Sequence, residues 1–207
     1  MAVSFDLFGT LVDVDRPADP AAAVAAALRD RDVAVPDDWG EAYREVHIDA
    51  PAGAEVPLPA HVSAALQSRG VDAPGNAPRR AVVSAFDPAV ETREGAVEAV
   101  AAARERGPVA ICSNCAVPEL VGRTLVRSDL GRGDFDTIVT SVACGWRKPD
   151  AHIFETVARQ LECDVADLVH VGDDPRTDGG IEDAGGRFVD VGEVPLSALP
   201  AELGWSG

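Results

Sequence analysis

The sequence predicts an α/β protein, a parallel sheet with helices on both faces that also carries a small all-helical insert. Two observations predict it. After residue 89, short apolar runs alternate with longer helix-forming ones, the pattern of parallel β–α units. Between residues 16 and 88 the chain is Ala-rich and punctuated by proline, and no run in it reads as a strand. With 207 residues and 46% hydrophobic side chains, there is material for one full core and a small second unit. The expected division is a core domain of residues 1–15 and 89–207 and a helical domain of residues 16–88.

The elements follow in order. "AVSFDLF" (2–8) reads as a short buried strand that ends where "GT" permits a tight turn. "DPAAAVAAALRDRD" (19–32) is a helix, with Asp19 placed to cap it and Pro20 in the first turn. Further helices are expected at 37–48, 57–69 and 76–86. The alternation then begins: helix 93–107, strand "PVAICS" (108–113), helix 117–130, strand "DTIVTS" (136–141), helix 150–162 and strand "DLVHVGDD" (167–174). A helix at 176–185 and a strand "RFVDV" (187–191) complete a Rossmann-like parallel sheet.

Charge narrows the partners. The 35 acidic and 18 basic side chains give a net charge of −17, which repels nucleic acid and anionic membranes and leaves a small molecule as the expected partner. An aspartate interrupts the first apolar run, so no secretory signal is read. No run of 18 apolar residues exists to span a membrane. Four cysteines are too few for a disulfide scaffold in a chain of this length. A cytoplasmic location is expected.

In open parallel sheets, ligands bind at the carboxyl ends of the strands. There the sequence places Asp6, Ser113 with Asn114, and Asp173 with Asp174, while the third strand leads to Lys148. Lys148 is the only lysine; the other 17 basic residues are arginine. The set is chemically coherent. A carboxylate can act as nucleophile, Ser113 and Lys148 can hold an oxyanion, and Asp6 with Asp173 can bind a hard divalent cation through oxygen.

Four segments in order, "FDLFGTLVD" (5–13), "CSN" (112–114), "GWRKPDAHIF" (145–154) and "VGDDPRTD" (171–178), resemble the four motifs of the haloacid dehalogenase-like hydrolase superfamily. The resemblance covers the whole core, and the insert at 16–88 matches the helical cap carried between the first and second motifs. It implies a hydrolase with Asp6 as nucleophile and Lys148 contacting both the nucleophile and the bound group. Thr10, Ser113, Asn114 and Lys148 would hold phosphoryl oxygens. Mg2+ would be held by Asp6, the Phe8 carbonyl and Asp173, with Asp174 or Asp178 in support. A compact ammonium suits a crowded oxyanion pocket better than a planar guanidinium, which explains the one retained lysine.

One position departs from the pattern. Family phosphatases carry a second aspartate, the leaving-group acid, where this chain has Phe8; losing a general acid costs about 10²–10⁴-fold. Phe8 points to the 2-haloacid dehalogenases, in which the aspartate attacks carbon and no metal is needed. The acidic fourth motif points the other way, because extra carboxylates beside a carboxylate nucleophile call for a cation. A magnesium-dependent phosphatase of a small phosphorylated metabolite is therefore expected first, a dehalogenase second, and a non-catalytic phosphate- or metal-binding protein third. A phosphonoacetaldehyde hydrolase would need a second lysine and is excluded.

Other features read as structural. Cys112 and Cys115 have C-x-x-C spacing without a matching second pair, so packing is expected. Arg44, Arg79 and Arg80 are expected to be solvated, as are His47 and His61. The near-absence of lysine and the excess of acid resemble proteins of extreme halophiles.

Overall fold

The computed structural model describes residues 1–204. Its strands are β1 (Ala2–Phe5), β2 (Val12–Val14), β3 (Val90–Thr92), β4 (Val109–Ser113), β5 (Thr137–Thr140), β6 (Leu168–Gly172) and β7 (Arg187–Asp190). Five of them form a parallel sheet in the order β5-β4-β1-β6-β7. β1, β4 and β6 are buried along their whole length, as expected of strands covered on both faces. Their side chains alternate between two cores. Val3, Phe5, Val109, Ile111, Val169 and Val171 join α5 (Ala96–Arg104) and α6 (Leu120–Arg127). Ala2, Ala110, Cys112 and Leu168 meet α8 (Ala151–Gln160) and Ile181 of α9 (Gly180–Asp183) on the opposite face.

The segment between β2 and β3 is helical, as expected, with α1 (Pro20–Arg29), α2 (Trp39–Ala42), α3 (Leu58–Gln67) and α4 (Ala77–Ala85). Val24 and Leu28 of α1, Val62 and Leu66 of α3 and Val82 of α4 are fully buried. Asp19 caps α1, its carboxylate accepting from the Ala22 N–H at 3.0 Å. The Trp39 indole donates to the Ala21 carbonyl at 2.9 Å and ties α2 to α1. Between α2 and α3 the chain runs back along the sheet domain. Glu55 N–H donates to the Gly145 carbonyl at 2.8 Å, Arg147 N–H to Gly53 at 2.9 Å and Leu58 N–H to Ala116 at 2.9 Å.

Several boundaries differ from expectation. The helix expected at 37–48 is only α2, because the His47 ring approaches the Ala42 carbonyl at 2.6 Å, where a helix would place a main-chain N–H. The helix expected at 176–185 shrinks to α9. In the preceding turn, Asp178 takes the Asp174 N–H and Asp174 takes the Arg176 N–H, side-chain bonds that compete with helix. β2 and β3 pair antiparallel where the helical segment begins and ends, and neither was read as a strand; three residues carry no visible period. The short helix α7 (Ser141–Cys144) and the terminal helix α10 (Leu199–Glu202) were also not anticipated.

Candidate active site

β1, β4 and β6 are neighbours in the sheet, and the predicted residues gather at their carboxyl ends. β1 stops at Phe5, and Asp6 stays tied to β6 by its N–H to the Val171 carbonyl at 2.8 Å. The loop that follows comes so close to β6 that a Cβ on Gly9 would stand 2.5 Å from the Asp173 carboxylate; Gly9 also has φ +92, a backbone setting that favours glycine. On the other side, a Cβ on Gly172 would stand 2.2 Å from the Asp178 Cγ. These two glycines allow the acidic groups to converge. Carboxylate oxygens of Asp6, Asp173 and Asp178 all lie within 4.8 Å of one another.

Lys148 sits at the centre, only 1% exposed. Its ammonium donates to the Cys112 carbonyl at 2.9 Å and to Asp178 Oδ1 at 2.5 Å. Asp6 Oδ1 lies 3.0 Å from the same nitrogen, near enough for an ion pair. The contact lacks hydrogen-bond alignment, so this buried oxygen has no donor. Burial alone would lower the lysine pKa, but Asp6, Cys112 and Asp178 outweigh it and hold the group charged. Three oxygens around one nitrogen fit an ammonium and would not admit a guanidinium fork.

Asp178 is buried and fully engaged. Besides Lys148 it accepts from His170 Nε2 at 2.9 Å and from the Asp174 N–H at 3.0 Å. Burial alone would raise its pKa, but His170 and Lys148 together hold its carboxyl well below the ordinary value. His170 is itself wholly buried, with Nδ1 2.9 Å from the Ser4 hydroxyl. Burial, helped by Lys148, keeps its pKa low and the ring neutral. An ionised carboxylate can only accept, so Nε2 carries the ring proton and Nδ1 accepts from Ser4.

The remaining predicted residues divide. The Ser113 hydroxyl is buried and has no partner among the described residues, free for an incoming oxygen. Thr10 was assigned to the substrate, but its hydroxyl donates to Asp173 Oδ1 at 3.0 Å. Asn114 was assigned likewise, yet its amide clamps the Lys148 main chain, donating to the carbonyl at 3.0 Å and accepting from the N–H at 2.7 Å. Asp174 pairs with Arg176 instead of joining the acidic cluster, so Asp178 is the third carboxylate there. Asp173 has its pKa raised, first by desolvation and then by the charges of Asp6 and Asp178. Sequence reasoning missed Ser4 and His170, whose positions in a buried strand look like packing. It also missed the Ser141 hydroxyl, which donates to Glu55 at 2.6 Å and accepts from the Cys115 N–H at 2.8 Å.

The cysteines serve packing, as expected. All four are free, and burial pushes the Cys112 thiol up to about 12 and Cys115 up to about 11, leaving neither a thiolate at neutral pH. Among the described residues no helix is long and apolar enough to cross a membrane.

Comparison with known proteins agrees with this geometry. A 2-haloacid dehalogenase from Pseudomonas syringae pv. Tomato DC3000 superposes with a TM-score of 0.65 at 18% identity, covering 98% of this chain and 97% of that one. CbbY from Rhodobacter sphaeroides, solved in complex with phosphate, gives 0.58 at 18% identity over 90% and 84%. YfnB from Bacillus subtilis, a HAD-hydrolase bound to magnesium, gives 0.52 at 21% identity over 90% and 86%. At such identities the likeness is one of fold. No curated protein sequence matches the chain. The profile of the haloacid dehalogenase-like hydrolases, however, matches residues 1–185, and the chain belongs to that family.

Proposed function

We propose that the protein is a magnesium-dependent phosphatase acting on a small phosphorylated metabolite, with residues 16–88 as its cap. The carrying observation is the charge balance at the site. Three carboxylates, Asp6, Asp173 and Asp178, crowd within 4.8 Å, and one ammonium faces them. Asp178 is satisfied by its three donors, but Asp6 Oδ1 has none, and Asp173 is raised in pKa by its neighbours. An all-oxygen set with unbalanced charge fits a hard divalent cation. Asp6, Asp173 and the Phe8 carbonyl would hold it, with Asp178 behind them. Bound Mg2+ would neutralise that charge and draw electron density from a phosphoryl oxygen.

The chain's own residues supply the rest. Asp6 attacks phosphorus, an O–P bond forms, the bond to the leaving oxygen breaks, and an aspartyl-phosphate results. Lys148 and the free Ser113 hydroxyl stabilise charge on the phosphoryl oxygens. Water then cleaves the aspartyl-phosphate and releases phosphate. Phe8 has no proton to give, so leaving groups that depart as anions are preferred. An aryl phosphate should be hydrolysed with Mg2+ present, EDTA should stop it, and Asp6→Asn should lower the rate by at least 10³-fold. Undiminished turnover by that variant would overturn the scheme.

Phe8 favours a second reading, a 2-haloacid dehalogenase, because its ring presents an apolar wall where the leaving group of a phosphatase is protonated. In that case Asp6 attacks carbon, halide departs, and EDTA is without effect. Halide release from 2-chloropropionate in EDTA, with no phosphate release from any ester, would establish it.

A further inference from the structure

A cavity of about 170 Å³ opens beside the site. Phe8 and Asn114, neighbours in sequence of the nucleophile and of the free serine, line it. So do the two stretches that lead into and out of the helical segment, through Arg16 on one side and Phe86 on the other. Val117 and Leu120 add to a largely apolar wall. Such a pocket, apolar with a few polar groups at the join of two units, is the usual form of a small-molecule site.

Arg16 is the cation of this lining. Its guanidinium carbon stands 6.0 Å from the centroid of the Phe8 ring, within cation–π range. Arg69, Arg79, Arg123, Arg127 and Arg176 each pair with a carboxylate. Arg16 makes no ion pair or hydrogen bond among the described residues. Asp15, the other charged residue of the lining, stands exposed and does not pair with it. In a chain of net charge −17, a guanidinium left free at the mouth of an apolar cavity has both forked N–H donors available for a carboxylate.

We propose that Arg16 reads a carboxylate on the substrate. The substrate class is then a small organic acid with the reacting group at one end, a short apolar body against Phe8, and the carboxylate at Arg16. This rests on the phosphatase reading for the identity of the reacting group. It also accounts for a use of Phe8: the ring packs the substrate body and supports the cation that holds its far end.

The test uses two phosphonates of equal chain length, which cannot be hydrolysed: 3-phosphonopropanoate, ending in carboxylate, and propylphosphonate, ending in methyl. Calorimetric affinities are measured with Mg2+ at fixed KCl for the wild type and for Arg16→Gln, with inorganic phosphate as a third ligand. The wild type should bind 3-phosphonopropanoate at least tenfold more tightly than propylphosphonate, and Arg16→Gln should bring the ratio near one. Arg16→Lys, keeping charge without the fork, should fall between. A ratio of one in the wild type, or a ratio that survives in Arg16→Gln, would overturn the assignment of Arg16 while phosphate binding still upheld the phosphoryl site. If neither phosphate nor either phosphonate binds, the phosphatase reading fails and takes this inference with it.

Discussion

Lys148 and His170 carry the least replaceable placements at the residue scale. The ammonium is nearly sealed from solvent and is balanced by Asp6 and Asp178. Beneath it, Ser4, His170 and Asp178 form a buried chain of hydrogen bonds that fixes the carboxylate orienting the lysine. His170 gives a pH signature. Its pKa lies below the ordinary 6.5 because it is buried. Below pH 6.5 the unfolded chain binds a proton at this residue that the folded chain refuses until its lower pKa is reached. Stability contributed by the neutral ring is therefore full above pH 6.5 and is lost as pH falls, by at most about 1.4 kcal/mol per pH unit. Denaturant unfolding of the wild type and of His170→Gln between pH 7 and 5 should show that slope in the first and its loss in the second. Parallel pH dependences would refute the assignment.

Element-scale effects are local and smaller. The α1 helix begins at a proline and is capped by Asp19, which satisfies one of the N–H groups that the first turn leaves open. Asp19→Ala should cost about 1 kcal/mol, within a usual range of about 0.5–2, read as a lower urea midpoint at unchanged slope. Activity in that variant should persist, since α1 contributes no residue to the acidic cluster. The turn before α9 behaves differently. Its side chains were recruited into the site and into local bonds, so helix propensity there lost to chemistry.

For the whole molecule the dominant fact is charge. Thirty-five acidic side chains against eighteen basic ones repel one another across the surface, and the ion pairs between exposed groups return little. Raising salt from 0.1 to 1 M shortens the Debye length from about 10 Å to about 3 Å and removes most of that repulsion. Thermal unfolding in KCl should rise steadily over this range, by about 2–4 °C for each kcal/mol relieved at this chain length. A melting temperature that falls or stays flat would show that self-repulsion is not what limits stability.

By itself the sequence determined the alternation of strands and helices, the helical segment between the first two motifs, and the placing of Asp6, Ser113, Lys148 and Asp173 at one end of the sheet. These are properties of periodicity and of order along the chain, and both survive folding unchanged. Only the tertiary structure decided that Asp178, not Asp174, completes the acidic cluster. It also decided that Thr10 and Asn114 serve the protein's own groups, and that Ser4 and His170 stand behind the lysine. The hairpin of β2 and β3 and the cavity with Arg16 belong to the same class. Each of these joins residues remote in sequence through hydrogen bonds a few ångströms long, and a partner chosen by distance leaves no period in the chain to read.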